Sequence, residues 1–428
     1  MQSKKKSYTA GHLSSYLLLL RSNANYRRYW LSGCVSQIGD WFNYIALFVL
    51  LNQLTGSGKA VSWFLIAKHL APAIFGPAAG VIADRYSRKT VMIGCDLIRV
   101  AVVLGYLFVR NPADVWLIYL LAFTQEAVWT FSNPARQASV PDLCTSKEEL
   151  SIINGLSGAS WSVMLATGAA LGGFLTAQLG WQAAIIADSL SFFLSAGMMA
   201  TVVLPKRENK QKSTFSLGRL TGWDDLKEGV VYVQAQPKIA ALLLVKSGWA
   251  LSGGVLVMLA VFGEQVFAIG GQGGGSGILF AMRGLGAAIG PILAWRLFGE
   301  GSAAMRQVVG KAFFAYAAAY VLFSQAPNML LAAVWVCCGH ACGSIQWVFS
   351  TTLIHRSVED RFRGRVFSAE MALLTLVMSL SIWLTGKAME LKVDPRHIVL
   401  VLALISLLPG IGWEIYLKRS KREPREYK

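Results

Sequence analysis

The stretch that decides the fold is Gly76–Gly94, GPAAGVIADRYSRKTVMIG. Two apolar runs meet in it, and Asp84-Arg85-Tyr86-Ser87-Arg88-Lys89 sits between them. Each run is close to the roughly 20 residues that a helix needs to cross the hydrocarbon of a bilayer. A break this short makes two consecutive spanning helices pack side by side. Gly76, Gly80 and Ala83 thin the first helix so that a neighbour can approach closely. Arg85, Arg88 and Lys89 hold the loop on the cytoplasmic side. Asp84 has no part in that rule. An acid at a helix junction can instead accept hydrogen bonds from the N-terminus of a facing helix.

The pattern of that stretch recurs along the chain. Of 428 residues, 54% are hydrophobic and 15% charged, and the mean hydropathy is +0.48. A soluble domain carries about 25% charge. Twelve apolar segments are expected to span, near 30–54, 60–82, 90–109, 115–135, 152–179, 182–204, 239–262, 275–298, 307–325, 328–353, 366–386 and 397–417. Residues 1–28 read as a cytoplasmic N-terminal tail or a helix on the membrane surface, with no cleavable signal peptide. Residues 205–238 form a polar cytoplasmic linker between two six-helix bundles, 29–204 and 239–417, and 418–428 form a basic tail. Within the linker, Gly222–Gln236 reads as a short interfacial helix with Trp223, Leu226, Val230 and Val233 on one side.

The net charge of +17 invites a nucleic-acid reading, but its distribution explains it otherwise. Only Lys59, Arg110, Lys387, Lys392 and Arg396 fall on one side of the expected spans. The tails, the linker and the loops and helix ends of the other side hold thirty Lys and Arg. Such a bias places both termini in the cytoplasm, and no basic face is interleaved with aromatics as nucleic-acid binding requires. Cys34, Cys95, Cys337, Cys338 and Cys342 fall in spans and Cys144 in a loop, so no disulfide framework is implied. Cys337, Cys338, His340 and Cys342 scatter around their helix instead of converging as metal ligands, and they read as small packing residues. No cofactor site is expected. Gly270–Gly277 lacks the P-loop lysine and its strand-to-helix setting, so nucleotide-driven transport and enzyme chemistry are not expected.

The two halves carry a faint duplication. Gly76-Pro77 matches Gly290-Pro291, and Trp129–Asp142 (WTFSNPARQASVPD) lies over Trp347–Asp360 (WVFSTTLIHRSVED). Both matches respect the span numbering, which points to a repeated six-helix unit about an axis along the membrane normal.

With these residues in view, Gly80-Val-Ile-Ala-Asp84-Arg85-Tyr-Ser-Arg88-Lys89 resembles the loop 2–3 signature of the major facilitator superfamily, G-x-L-A-D-R-x-G-R-K. Ile82 replaces Leu, and Ser87 replaces the second Gly. The resemblance implies an all-α fold of twelve spans in two pseudo-symmetric bundles. It also implies a cytoplasmic gate at this loop. Asp84 would cap the start of span 11. Arg85 and Arg88 would pair with acids drawn from Asp142, Glu148, Glu149, Glu359 and Asp360. Span 5 is similar to the antiporter pattern G-x8-G-x3-G-P-x2-G-G. Gly155, Gly168, Gly172 and Gly173 keep it, while Met164 and Ala169 depart from it. Close helix packing is by itself a sufficient reason for these glycines. The phrases QIGDW, DLKEGVVYV and FRGRVFS resemble the macrolide-efflux and enterobactin-exporter branch of drug exporters.

An ionisable group inside a span is a functional candidate by default. Asp40, Lys68, Asp96, Arg99, Glu126, Asp188, Lys246, Arg283 and Glu370 qualify. Asp96 and Arg99, three apart, read as a pair on one helix face. Glu370 reads as snorkelling or joining the gate, and Asp188 as bonded among small neighbours. In the resembled fold, spans 1, 4, 7 and 10 line the cavity. Asp40 and Glu126 are then the proton-coupling candidates, because a carboxylate in a half-dry cavity can load and release a proton near working pH. Lys246 and Arg283 are expected as charge partners of such an acid or of an anionic substrate. The same set also reads as a buried ion-pair network that fixes helix positions.

Trp41, Phe42, Tyr44, Gln125, Trp129, Trp249, Trp335, Gln346 and Trp347 would give the cavity a mostly apolar wall suited to amphiphiles. The expectation is a monomeric transporter in the plasma (inner) membrane, surrounded by membrane lipids. It would couple protons to efflux of an amphiphilic small molecule. A lysophospholipid flippase or an uncoupled facilitator is the alternative.

Overall fold

The computed structural model describes residues 13–205, 223–299 and 301–422. Among them all regular structure is helical, with no strand. A short helix α1 (Leu13–Ser22) precedes the first bundle: α2 (Ala24–Thr55), α3 (Gly58–Arg85), α4 (Arg88–Gly105), α5 (Val115–Leu143) and α6 (Lys147–Ala200). The linker helix α7 (Trp223–Gln234) leads to the second bundle. There α8 (Pro237–Ala250) and α9 (Val255–Val261) form one broken span that ends in a π turn at Phe262–Val266. They are followed by α10 (Gly274–Phe298), α11 (Ser302–Ser324), α12 (Met329–Ser357) and α13 (Asp360–Glu390). The last span is α14 (Pro395–Ile405) continued by α15 (Leu407–Arg422).

Nine segments among the described residues are long and apolar enough to cross a membrane. One of them, Ile152–Ala200, contains a turn at Gly180, whose φ of 85° and ψ of 165° suit a residue without Cβ. The helices α3 and α5, of 28 and 29 residues, have the length and pack against each other in the same bundle. The architecture is consistent with twelve crossings.

The stretch that opened the sequence argument becomes a two-residue corner. The Tyr86 N–H closes α3 on the carbonyl of Ile82, and the Ser87 side chain accepts from the Thr90 N–H to start α4. No Cβ at Gly76 would meet anything within 4 Å, so the expected close approach there is not made. The counterpart in the second half differs. Gly286 and Gly290 of α10 lie against the backbone of α12 at Cys337 and Ala341, with no room for a side chain.

The described chain ends, α1 and α15, and the linker helix α7 lie at one end of the bundle, the tail end. At the far end the halves are sealed together. Gly173 of α6 crosses Gly277 of α10 so closely that a Cβ would stand 2.7 Å from the opposing Cα. Gly58 of α3 faces Met389 of α13, and Gly386 of α13 faces Ser62. Polar bonds reinforce the seam: Lys59 with Glu390 at 2.6 Å, and Gln265 to Asn52 at 2.9 Å. Gln265 also donates to the Gly56 carbonyl at 3.3 Å at this end.

At the tail end, α1 is packed down. Leu19 and Tyr26 are buried among Leu143, Ile152, Ile153 and Leu156, and Asn23 Nδ2 donates to the Leu143 carbonyl at 2.9 Å. The linker helix runs Trp223–Gln234, within the expected Gly222–Gln236. It docks on the start of α13, where Tyr232 stacks on Phe362 at 4.2 Å and Glu228 pairs with Arg365 at 2.6 Å. The side chains of Trp223 and Leu226 lie outside the described residues.

Candidate transport site

The intramembrane charges pair across helices rather than along them. Asp40 of α2 closes on Arg99 of α4. The expected pairing of Arg99 with Asp96 on its own helix is not formed. Asp96 accepts from Ser195 Oγ at 2.7 Å, and the Arg99 guanidinium lies 3.8 Å from the Phe192 ring. Asp96 faces α6, on which α4 packs, while Arg99 reaches across to Asp40 of α2. The Arg99 side chain is 4% exposed and that of Asp40 is 29% exposed. The pair therefore has one dry end and one wet end.

Glu126 of α5 pairs with Lys68 of α3 at 2.8 Å, and the ammonium also lies 5.6 Å from the Tyr44 ring. Lys246 of α8 pairs with Glu370 of α13 at 2.7 Å. These partners correct two expectations. Lys246 is the counter-ion of neither Asp40 nor Glu126, and Glu370 neither snorkels nor joins the gate, since its side chain is fully buried. The Lys246 ammonium also sits 4.6 Å from the Trp347 ring, and Trp347 meets Trp249 edge-on at 5.9 Å.

Asp188 is fully buried, as expected, against small neighbours. Ser191 Oγ donates to its Oδ1 at 3.4 Å, while Oδ2 has no partner. Gly39 lets this carboxyl approach α2, because a Cβ there would stand 2.6 Å from Oδ1.

Arg283 of α10 is the odd member. Among the described residues it makes no ion pair. Its Nε–H donates to Nε2 of His340 on α12 at 3.1 Å, and Nδ1 of His340 lies 2.6 Å from the Tyr320 hydroxyl of α11. Sequence reasoning treated His340 only as a packing residue beside three cysteines. The signal available was that a histidine inside a span is as much an ionisable group as the carboxylates. Tyr320 is missed for another reason: a tyrosine at helical spacing reads as core.

The predicted cavity residues do not form one continuous wall. Trp41, Tyr44 and Phe280 form an aromatic cluster across the two halves, with Trp41–Phe280 at 6.0 Å and Tyr44–Phe280 at 5.7 Å. Gln125 is 1% exposed and structural. Its amide oxygen accepts from Asn43 at 3.0 Å and from Tyr106 at 3.2 Å, and its Nε2 donates to Asp40 at 3.4 Å. This corrects its assignment to the cavity wall. Gln346 and Trp249 present buried polar atoms without partners: both amide atoms of Gln346 and the indole nitrogen of Trp249. Trp129 and Trp347 are 36% and 38% exposed. Phe42 and Trp335 are half-buried against the main core.

At the predicted gate, Arg88 pairs with Asp142 at 2.9 Å and also donates to the Ala138 carbonyl. Lys89 Nζ donates to the carbonyls of Ala200 and Val202, at 2.6 and 2.9 Å, and so caps the end of α6. Glu359 stands at the N-cap of α13 without a side-chain capping bond. The surroundings of Gly80 and the side chains of Asp84, Arg85, Glu148 and Asp360 lie outside the described residues. The span 5 glycines are packing surfaces. A Cβ on Gly168 would stand 2.9 Å from Trp41 Cβ, one on Gly172 would stand 3.0 Å from the Phe42 backbone, and Gly173 makes the crossing with α10.

Two bundles of membrane-crossing helices, with ion pairs buried at bilayer depth and a seam closed at one end, define a multi-pass transporter architecture. The sequence model of the Major Facilitator Superfamily matches residues 29–382, and the chain belongs to that family, whose members are transporters and not enzymes. Similar proteins include the uncharacterized MFS-type transporter YkuC of Bacillus subtilis, 27% identical over 225 residues, 52% of each chain. Macrolide efflux protein A of Streptococcus pyogenes is 29% identical over 218 residues, 50% of this chain and 53% of that protein. The chain thus spans about half the length of the curated relatives it matches. Among solved structures, the nucleoside transporter NupG superposes with a TM-score of 0.70 at 13% identity, covering 92% of this chain and 99% of that one. A bacterial homolog of the human lysosomal transporter Spinster, in an inward-facing and occupied conformation, gives 0.69 at 13% identity, with 95% and 99% covered. These last two likenesses concern the fold.

Proposed function

We propose that the protein is a secondary transporter of the inner membrane that exchanges protons for an amphiphilic small molecule and moves that molecule out of the cell. The observation that carries this reading is the Asp40–Arg99 pair, whose cation is dry and whose carboxylate is partly open. Protonating such a carboxylate neutralises it and releases a buried guanidinium, and this local change can bias the packing of α2 against its neighbours. Glu126, paired with Lys68 and similarly placed, is the second coupling candidate.

The far-end seam supports a cavity that opens toward the tail end, which the positive-inside count assigns to the cytoplasm. Arg88–Asp142 and the neighbouring corner act as the gate that closes when the cavity turns outward. Export rather than import is favoured by the likeness to macrolide efflux protein A over half the chain. The aromatic wall of Trp41, Tyr44, Trp249 and Trp347, backed by the buried Phe280, suits an amphiphile. A lysophospholipid flippase or uncoupled facilitator is the other outcome of the test, and a monomer is the working unit.

The test uses proteoliposomes holding the full chain and a trapped pH dye. Lipophilic cations, macrolides, catecholate siderophores and lysolipids are added in turn. Substrate-triggered proton flux supports the antiporter. Substrate movement without proton flux sinks the coupling and leaves the facilitator or flippase.

A further inference from the structure

The intramembrane charges sort unevenly. Asp40 holds Arg99, Glu126 holds Lys68, and Glu370 holds Lys246. Arg283 alone among these cations has no carboxylate within ion-pair distance among the described residues. A cation at bilayer depth is costly without a counter-charge. The partial compensation at Arg283 comes from ring faces, with Trp41 at 5.9 Å and Phe280 at 5.8 Å.

Its one hydrogen bond defines which part of the guanidinium is available. Nε–H donates to His340 Nε2 at 3.1 Å, so that ring nitrogen is an unprotonated acceptor. A neutral imidazole then carries its proton on Nδ1, 2.6 Å from the Tyr320 hydroxyl, which accepts it. His340 is 6% exposed and Tyr320 fully buried, so the imidazole is held from behind. The two terminal nitrogens of Arg283 make no hydrogen bond among the described residues. They form the fork that matches a carboxylate with two parallel N–H···O bonds.

We propose that Arg283 is the seat of a carboxylate on the transported molecule, that His340 positions its guanidinium, and that the substrates are amphiphilic organic anions with an aromatic or other apolar body. The body lies against the partly exposed rings of Trp41 and Tyr44, which pack on the buried Phe280 beside this site. The anion completes the charge pairing that the chain leaves open in the second bundle, while the acids of the first bundle carry the proton. The proposal rests on the transporter reading above and narrows its substrate class.

The experiment measures equilibrium binding to the purified full chain in nanodiscs, using 2-naphthylacetate and its uncharged amide as matched probes. Wild type is expected to bind the acid about tenfold or more tightly than the amide, the scale of one charge-assisted bidentate contact. Arg283→Gln is expected to bring that ratio near one while leaving amide binding in place, and Arg283→Lys to leave a partial preference. His340→Gln, which keeps an acceptor, should retain the ratio that His340→Phe lowers. A variant harmed only in packing would lose affinity for both probes together. A ratio near one in wild type, no acid binding, or a ratio that survives Arg283→Gln overturns the proposal. Proton flux in proteoliposomes separates the two readings. Flux driven by lipophilic cations but not by the naphthylacetate leaves the exporter standing and removes the anion. Acid binding with no flux from any compound does the reverse.

Discussion

Arg99 of α4 turns away from Asp96, one turn along its own helix, and closes on Asp40 of α2. The choice ties two helices of the first bundle together through a charge that water barely reaches. Asp96 is left to accept from Ser195. The consequence for stability can be stated directly. Removing one partner of a buried pair costs about 3–5 kcal/mol in the fully buried limit. The 29% exposure of the Asp40 side chain puts Asp40→Asn at or below the lower end, about 3 kcal/mol or less. Thermal unfolding in detergent should show Asp40→Asn less stable than wild type and Asp40→Asn/Arg99→Gln partly recovered.

The Lys246–Glu370 pair should behave more sharply. Both side chains are nearly sealed, at 4% and 0% exposure, and Glu370 Oε1 has no partner. Lys246→Met alone strands a buried carboxylate and is expected to cost about 3–5 kcal/mol. Lys246→Met/Glu370→Met should recover most of that loss. The check is the unfolding midpoint of the two variants side by side. A single variant as stable as wild type would remove the pair from the account.

The far-end seam makes a prediction about state rather than stability. Lys59 and Glu390 join the two halves in an exposed position, and Lys387 shares the carboxylate at 2.9 Å. Lys59→Glu should loosen this end and raise labelling of a cysteine introduced at Phe48 by an impermeant maleimide added from that side. Lys59→Glu/Glu390→Lys should return labelling toward wild type. Equal labelling in all three would show that the seam holds without the Lys59–Glu390 pair.

Glycine positions give a matched pair of substitutions. A Cβ at Gly173 would stand 2.7 Å from Gly277 Cα, whereas one at Gly76 would meet nothing within 4 Å. Gly173→Val is expected to lose about 1–3 kcal/mol through overpacking and to impair transport. Gly76→Ala should be close to neutral in this conformation. Melting curves and uptake assays on both variants check the contrast.

The pattern of apolar segments and charged loops was enough to read the fold. The Asp84–Lys89 break lies at a corner between α3 and α4, and Ser87 at that corner caps α4. Partner choice was not legible. Spacing along one helix offers Asp96 to Arg99, but Asp40 is nearer in space and 59 residues away in sequence. Gln125 looked like a cavity amide because its span lines the cavity. The fold turns it inward onto Asn43, Tyr106 and Asp40 instead. His340 was hidden among cysteines, since nothing in one sequence says that α10 brings Arg283 beside it. The glycines of span 5 were legible as close-packing residues, and the structure supplies the helices they meet, α2 and α10.

The most direct test of the central claim, that Asp40 carries the coupled proton, is a pair of transport assays on Asp40→Asn in proteoliposomes. One assay drives substrate movement with an imposed pH gradient. The other measures counterflow, an exchange of labelled for unlabelled substrate that needs no net proton transfer. The account predicts that the variant loses gradient-driven transport and keeps counterflow, because the conformational cycle survives while its proton site is gone. Gradient-driven transport at the wild-type rate in Asp40→Asn would contradict it.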